Sequence, residues 1–433
     1  MNRSRWTIQA DISGGNNDGL VLTTINTRSV ITTGSLNSGN KFKQGLSWHW
    51  NNTSDGNYLT SFTKAETFCN GNFIGYNEDF AKLRYVVVDP SKGTGRRGGE
   101  NISEVLNQPE KAEYYKLESG YFNLQCQEKI NYTFNVRSHL NQWQNALYTS
   151  DRMPKYEVKI NGWTIAVKRY EYVNLYHTVT DFYNAFLVAK AFNMEQGNIT
   201  ILWIDGHPFG GLDETWKTLF GHVLRAGDIT KPCLFSKIVW GIMGYHSPLT
   251  RHGIQSVPYI EEFRTFFLTT HGISQTHVLD CNKLKILIIW RRNYLAHPRK
   301  PSGEVTRKIK NEDELLESVK TAFLGHEVNG VQLDIFNMST QLNLIASTDI
   351  LVGMHGAALS HILFLPKHAG VVELFPSYWS VSNRHFVAFA KWRNIHHLLW
   401  KNIDPKRDIR RHSTIVDVKT VTDLILQMKQ KIC

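Results

Sequence analysis

The sequence predicts an α/β protein, and three observations carry that prediction. Over the second half of the chain, short apolar strands alternate with helical spacings, the pattern of parallel βαβ units. Asp349-Ile-Leu-Val-Gly-Met-His-Gly-Ala-Ala-Leu-Ser-His361 reads as a buried strand running into a glycine turn and a helix start. Beyond it, Val371-Val-Glu-Leu-Phe375 reads as a second buried strand with one carboxylate near its carboxyl end.

A chain of 433 residues with 42% hydrophobic content suffices for two ordinary domains. Residues 1–57 are rich in Gly, Asn, Ser and Thr without a sustained period, so a stem or poorly ordered leader is expected there. A first domain is expected over 58–278. Its elements are a strand at 84–88 ended by Asp89-Pro90, a strand at 163–167, and a helix over 176–192 with apolar residues at Val179, Phe182, Tyr183, Phe186, Leu187 and Ala191. A strand at 199–204 and a helix at 214–224 follow. The second domain, 279–433, is a Rossmann-type unit. It opens with a strand at 285–290 and a helix at 312–323, whose start is signalled by Asn311 and Glu314. A strand at 331–336 and a helix at 340–347 lead into the glycine-turn segment. The tail from about 415 is predicted to be a helix crossing back to the first domain.

The formal net charge of +11 fits an anionic ligand or surface. No basic run is interleaved with aromatics, so no nucleic-acid partner is expected. Any one of the 12 tryptophans is explained by core packing, although exposed ones stack on sugars or bases. The longest clean apolar run, Ile286 to Trp290, is far too short to span a membrane, and no charged-then-apolar signal opens the chain. Sequons at Asn2, Asn51, Asn52, Asn101, Asn131, Asn198 and Asn337 nevertheless lean toward a secreted route. Cys69, Cys126, Cys233, Cys281 and Cys433 show no zinc spacing. Two disulfides and one free thiol suit that route, with the pairing left open. A lumenal ectodomain whose anchor is not visible in this chain is the expectation.

The glycine turn carries the chemistry. A strand running into Gly353 and Gly356 delivers free backbone amides at a helix N-terminus, which favours phosphate. His355 donates to that phosphate or is a buried structural histidine. Glu373 is placed to accept from ribose hydroxyls. After the first strand of the second domain, Arg291-Arg292 and Tyr294-Leu-Ala-His-Pro-Arg299 form a loop suited to neutralising a diphosphate. In the first domain His177 and Asp181 share a helix face, as a catalytic pair or as a solvated one. Trp203-Ile-Asp205-Gly206-His207 ends a strand in a turn, and Glu214 opens a helix, where an ordinary first-turn carboxylate is the plain alternative. Gly93-Thr-Gly95-Arg-Arg-Gly98 fits a dinucleotide pattern only in its glycines, because Asp-Pro-Ser-Lys separates it from its strand; a mobile basic loop is expected. The chain has no Asp-x-Asp. Paired carboxylates usually hold the cation that clamps a sugar diphosphate, so arginine and helix dipole are expected to stabilise the leaving group instead.

Gly353-Met-His355-Gly-Ala-Ala-Leu359 with Val-Val-Glu373-Leu resembles the glycosyltransferase family of plant xylosyl- and arabinosyltransferases and lumenal protein O-GlcNAc transferases. Arg169-Tyr-Glu-Tyr-Val-Asn-Leu-Tyr-His-Thr-Val-Thr-Asp181, Glu214-Thr-Trp-Lys-Thr-Leu-Phe220, Tyr294-Leu-Ala-His-Pro-Arg299, Ala390-Lys-Trp-Arg393 and the terminal cysteine are similar to its glycoprotein β-1,2-xylosyltransferase branch. The resemblance runs from about 66 to 433. It implies a GT-B-like fold, two Rossmann-type domains facing across a cleft, with 58–278 binding the acceptor and 279–433 the nucleotide sugar. It implies inverting transfer of xylose from UDP-xylose to O2 of the core β-mannose of N-glycans, without a cofactor or an obligatory metal. The partners would be an N-glycan acceptor on glycoproteins and the UDP-sugar donor. The setting would be the Golgi lumen, on a type II membrane anchor. On this reading Glu214 is the general base, with Asp205, His207 and the His177–Asp181 pair as rivals or supports. Arg291, Arg292, His355, Gly356 and Ala357 meet the diphosphate, and Glu373 holds the ribose. UDP-GlcNAc transfer to Ser or Thr, or catalytically silent glycan binding on the same scaffold, are the alternatives.

Overall fold

The computed structural model describes residues 20–21, 65–76, 78–134 and 138–433. The expected leader therefore lies outside the described residues, except for Leu20–Val21, which pairs in parallel with the strand starting at Val158.

The first sheet contains β1 (Ala65–Phe68), β2 (Phe73–Tyr76), β3 (Phe80–Val88), β4 (Phe122–Gln125), β5 (Leu147–Ser150), β6 (Val158–Val167), β7 (Ile199–Trp203), β8 (Gly221–Arg225) and β9 (Cys233–Trp240). Its order is β8-β7-β6-β9-β3-β2-β1. The strands from β8 to β9 run parallel, and β9, β3, β2 and β1 continue as antiparallel neighbours. The Rossmann-type pattern thus holds for one side of this sheet only; the other side is a meander.

Helix α1 (Leu175–Ala191) makes the crossover from β6 to β7, and α2 (Asp213–Phe220) that from β7 to β8. The Asn174 side chain caps α1, accepting from the Tyr176 amide at 3.1 Å. Nearly every residue of α1 is buried. A helix apolar on all sides is wrapped on all sides, and here the wrapping comes from both halves of the molecule. Helix α2 is shorter than the 214–224 expected. Gly221, at φ +109, ends it, and the chain turns directly into β8.

Helix α3 (Ile260–Thr270) precedes a second sheet of β10 (Lys285–Ile289), β11 (Glu327–Val331), β12 (Ile350–Met354), β13 (Gly370–Phe375) and β14 (His396–Lys401). All its pairings are parallel, in the order β11-β10-β12-β13-β14. The second strand of this half was expected at 331–336; it lies earlier, at Glu327–Val331, and 333–335 form a 3-10 turn. Helices α4 (Glu312–Ala322), α5 (Met338–Ala346), α6 (His385–Trp392) and α7 (Val418–Ile432) accompany the sheet. Chain direction across this sheet reverses between β10 and β12. At such a switch point the carboxyl ends of the strands leave a crevice for ligands.

The tail does not cross back to the first half. Helix α7 lies on α4 and the second sheet, with Ser318 and Thr422 hydroxyls 3.0 Å apart and Met428 filling the space over Gly370. Its buried stripe of Val421, Ile425 and Met428 is satisfied there, and Cys433 closes a disulfide to Cys281. A second disulfide joins Cys69 to Cys126, and Cys233 is free and buried. The two halves are joined instead through α1 and α3. Phe182 meets Phe267, which stacks on Phe364 of the second half with centroids 4.4 Å apart. Arg264 donates from Nε to the Leu365 carbonyl at 3.0 Å. Each buried phenylalanine contributes roughly 1.5–3 kcal/mol, so this shared core sets how the two sheets face each other.

Candidate active site

Arg291 follows β10 and His355 follows β12, so both stand at the switch point. Gly356 is extended, and the segment after it, Ala357–Phe364, is a 3-10 helix rather than the α-helix expected. A Cβ at Gly356 would meet the Arg291 guanidinium, so the bare glycine backbone lets that guanidinium lie against the turn. Arg291 donates from Nε to the Thr306 carbonyl at 3.0 Å. The next residue, Arg307, lies over the Trp379 ring at 4.1 Å, with its Nε buried and unpartnered. Among the described residues neither arginine has a carboxylate partner. Burial lowers the pKa of both, and the neighbouring Arg291 helps to bring Arg307 to about 10. Both remain cationic at neutral pH. Two adjacent, partly desolvated cations repel each other until an anion joins them. They share a cavity of about 420 Å³ with Ala357 and Ala358 at the 3-10 N-terminus. Charge, donors and size suit a diphosphate.

Arg292 is different. Its Nε and terminal nitrogen both bond Glu312, at 2.9 and 2.6 Å, on an exposed face. Arg292 lines the same cavity, but Glu312 holds its guanidinium, so the arginine that joins Arg291 without an ion pair is Arg307. Nothing local marks Arg307 in the sequence; the loop back from 292 to 307 brings it in.

Glu373 is where the pattern placed it but holds different partners. It accepts from His355 Nδ1 at 2.6 Å and from His397 Nε2 at 2.8 Å. Burial raises its pKa, but the two imidazole hydrogen bonds outweigh this and hold it below the usual carboxylate range. It is 1% exposed. A buried carboxylate with both oxygens engaged does not reach a ribose; it orients His355. With Nδ1 donating to Glu373, the His355 ring is held on the wall of a second cavity with its other nitrogen uncommitted among the described residues.

This second cavity, about 350 Å³, lies between the two halves. Tyr170, Tyr176, His177, Tyr245 and His252 line it from one side, and Arg307, His355, Gly356, Trp379 and His385 from the other. The Tyr176 hydroxyl, His252 Nε2 and His385 Nδ1 are each 3.0 Å from one another. These two histidines, like Arg307, come from loops and a helix start with no local signal. His177 sits beside Tyr170, with ring centroids 5.1 Å apart, and its side chain makes no hydrogen bond among the described residues. Burial lowers its pKa, against the opposing pull of Glu171, so the imidazole is neutral at pH 7. A neutral, uncommitted imidazole on the cavity wall is able to accept a proton. Asp181, one turn on, does not bond it. Asp181 is buried beneath Gly244, its Oδ2 has no hydrogen-bond partner among the described residues, and burial raises its pKa well above the ordinary value.

The other predicted acids and bases serve the frame. Arg169 binds Asp205 through two nitrogens, at 2.9 and 2.7 Å, and Asp213 at 2.7 Å; Arg225 closes on Asp213 at 2.8 Å. Burial pushes the Asp205 carboxyl up, but the Arg169 guanidinium overrides this and holds it far below the usual range. Asp205 is a committed ion-pair partner rather than a base. His207 bonds Glu113 at 2.7 Å and the Arg169 carbonyl at 3.2 Å, so neither of its nitrogens is available. Glu214 is exposed on the first turn of α2 and lines none of the three cavities described here; the inward carboxylate of that turn is Asp213. Asp205 and His207 form part of the wall of a third cavity, about 740 Å³, which shares Tyr170, Gly244 and Tyr245 with the second. Gly98 of the basic loop packs against the His207 carbonyl, and Arg97 pairs with Asp228, so that loop belongs to the first sheet's rim.

Residues 175–372 match the family model for Glycosyltransferase 61. The chain is 26% identical over 353 residues to the beta-1,2-xylosyltransferase RCN11 of Oryza sativa subsp. japonica, covering 72% of this chain and 65% of that protein. It is 27% identical over 297 residues to the beta-1,2-xylosyltransferase of Arabidopsis thaliana, covering 58% and 55%. It is 31% identical over 244 residues to the EGF domain-specific O-linked N-acetylglucosamine transferase of Mus musculus, covering 53% and 43%. The chain thus spans 43% to 65% of these curated relatives. The matched stretch contains α1, the switch point of the second sheet, His177, Arg291, Arg307 and His355, so the residues that line the first two cavities fall largely within the segment that matches glycosyltransferase 61.

Proposed function

We propose that the chain is an inverting glycosyltransferase that moves xylose from UDP-xylose to O2 of the core β-mannose of N-glycans. The observation that carries the donor half is the pair Arg291 and Arg307, two cations that form no ion pair with a carboxylate among the described residues, at the carboxyl ends of a parallel sheet. In this reading the molecule works as a GT-B-like pair, the second half gripping UDP and the first presenting the acceptor. The acceptor hydroxyl enters the cavity between them. Its oxygen bonds to the xylose anomeric carbon as the bond from that carbon to the β-phosphate oxygen breaks. The hydroxyl proton passes to the His177 imidazole. The departing diphosphate gains negative charge, which Arg291, Arg307, the amides after Gly356 and His355 stabilise in the transition state. These cations take the part that a divalent metal plays elsewhere, so transfer continues in a chelator. The sequons, the two disulfides and the xylosyltransferase relatives support a Golgi-lumen setting. Among the described residues no helix is long and apolar enough to cross a membrane.

A second reading keeps the chemistry and changes the sugar: UDP-GlcNAc to a protein hydroxyl. The 31% identity to the mouse N-acetylglucosamine transferase favours it. Incubation with each UDP-sugar and a mannose-core glycan or a folded Ser/Thr acceptor separates the readings. Xylosyl transfer adds a pentose mass to the glycan, the second reading adds an N-acetylhexosamine to the protein, and no product removes both. His177→Ala is expected to lower kcat by about 10²–10⁴ while UDP affinity stays near wild type. Retained turnover would remove His177 as the base.

A further inference from the structure

Far from these cavities, at the amino ends of the second sheet's strands, two imidazoles converge on one carboxylate oxygen. His277 Nε2 and His368 Nε2 each lie 2.8 Å from Asp349 Oδ1. The other oxygen, Oδ2, accepts the Lys285 amide at 2.8 Å. The carboxylate side chain is 0% exposed, while the imidazoles are 19% and 23% exposed and open to solvent. Among the described residues no lysine or arginine side chain pairs with Asp349. The buried carboxylate's charge is therefore met only by two imidazole edges and one backbone amide. Such a charge is costly unless a cation joins it.

We propose that His277, Asp349 and His368 form a divalent metal site, with zinc as the fitting ion. The three ligand atoms lie within 4.8 Å of one another. Zinc holds imidazole nitrogen and carboxylate oxygen at about 2.0–2.2 Å in a tetrahedron, which sets neighbouring ligand atoms about 3.3 Å apart. Replacing the two bridging protons by one ion needs each partly exposed ring to move its nitrogen out from Oδ1 by about half an ångström and the two nitrogens, now within 4.8 Å of each other, to settle about 3.3 Å apart. The Lys285 amide on Oδ2 leaves Oδ1 as the metal-facing oxygen, and water completes the tetrahedron. Each metal-bound imidazole keeps its Nδ1 proton toward solvent or a neighbouring acceptor.

Its position says what the site does. His277 lies in the segment joining α3 to β10, four residues before Cys281, which is tied to Cys433. Asp349 and His368 stand at the starts of β12 and β13. Metal and disulfide together fasten the connecting segment and the tail to the underside of the nucleotide-binding sheet. The site is structural, and its loading leaves the switch point untouched.

The test uses the whole chain, stripped with a chelator, dialysed and titrated with ZnCl2 by calorimetry, with thermal unfolding followed in parallel. One equivalent is expected to bind and to raise Tm, with UDP affinity unchanged. His277→Ala and His368→Ala are each expected to weaken binding at least about 100-fold and to abolish the Tm response. His252→Ala, in the cavity between the halves, should leave both intact. Absence of one-equivalent uptake by folded wild type, or uptake that survives both histidine substitutions, overturns the site. So does a cluster whose substitution changes only the pH dependence of Tm, since that makes it a proton clamp. Should the ligand variants fail to fold, the wild-type cobalt complex decides: a tetrahedral visible spectrum supports the site, an octahedral one overturns it.

Discussion

Two groups of arginines sit in the two halves of this molecule, and their surroundings are opposite. In the first half, Arg169 and Arg225 are balanced by Asp205 and Asp213, with every bond between 2.7 and 2.9 Å. In the second half, Arg291 and Arg307 stand together with no carboxylate ion pair among the described residues, only the more distant Asp334 acting on Arg291, and burial lowers both. The same side chain holds a fold in one place and awaits a ligand in the other. What separates the roles is whether the protein itself supplies the counter-charge.

The largest expected effect lies in the balanced group. Arg169→Met leaves the buried Asp205 carboxylate unpaired and Asp213 with Arg225 alone, and should cost about 3–5 kcal/mol of stability, read as a lower denaturation midpoint. The same group gives a pH signature. Its depressed Asp205 pKa contributes stability that is fully present above the ordinary carboxylate range and is lost as pH falls through the folded value, so wild type should soften in acid and the Arg169 variant should soften less.

The unbalanced pair should behave the other way. Arg307→Met removes a cation that has no carboxylate partner among the described residues, so stability in the absence of ligand should hold or rise. UDP affinity should fall by about 10–100-fold, as for a lost hydrogen bond to a charged group worth roughly 1.5–3 kcal/mol. If Arg307→Met unfolds the protein as Arg169→Met does, the contrast fails.

A smaller effect sharpens the histidine assignments. Burial lowers His177, so activity that needs its neutral form persists to pH values below the ordinary histidine range and falls as pH drops through the lowered pKa. The acid limb of kcat should vanish in an active His177 variant. Smallest of all is Glu214→Gln. Glu214 is exposed, and its replacement should change stability by under about 0.5 kcal/mol and turnover hardly at all.

These contrasts also mark what was legible in the sequence. Strands β10, β12 and β13, the glycine turn and the position of His355 were readable, because apolar runs and turn residues encode them locally. Glu373 was placed correctly, but its partner His397 lies on the adjacent strand and is invisible to local spacing. Asp213 and Glu214 are neighbours on one helical turn, and sequence alone does not say which faces Arg169. Arg292 looked equivalent to Arg291 until Glu312 was seen to hold it. Arg307, His252 and His385 reach the cavities from loops and a helix start, with no period to announce them. The tail helix was recognisable, but its docking face depended on Cys281 and α4.

The most direct test of the central claim is calorimetric titration of wild type and Arg307→Met with uridine, UMP and UDP. If the two arginines await a diphosphate, wild-type affinity should climb steeply from uridine to UDP, and most of that gain should disappear in the variant. UDP binding no more tightly than uridine, or binding both proteins equally, would contradict the account.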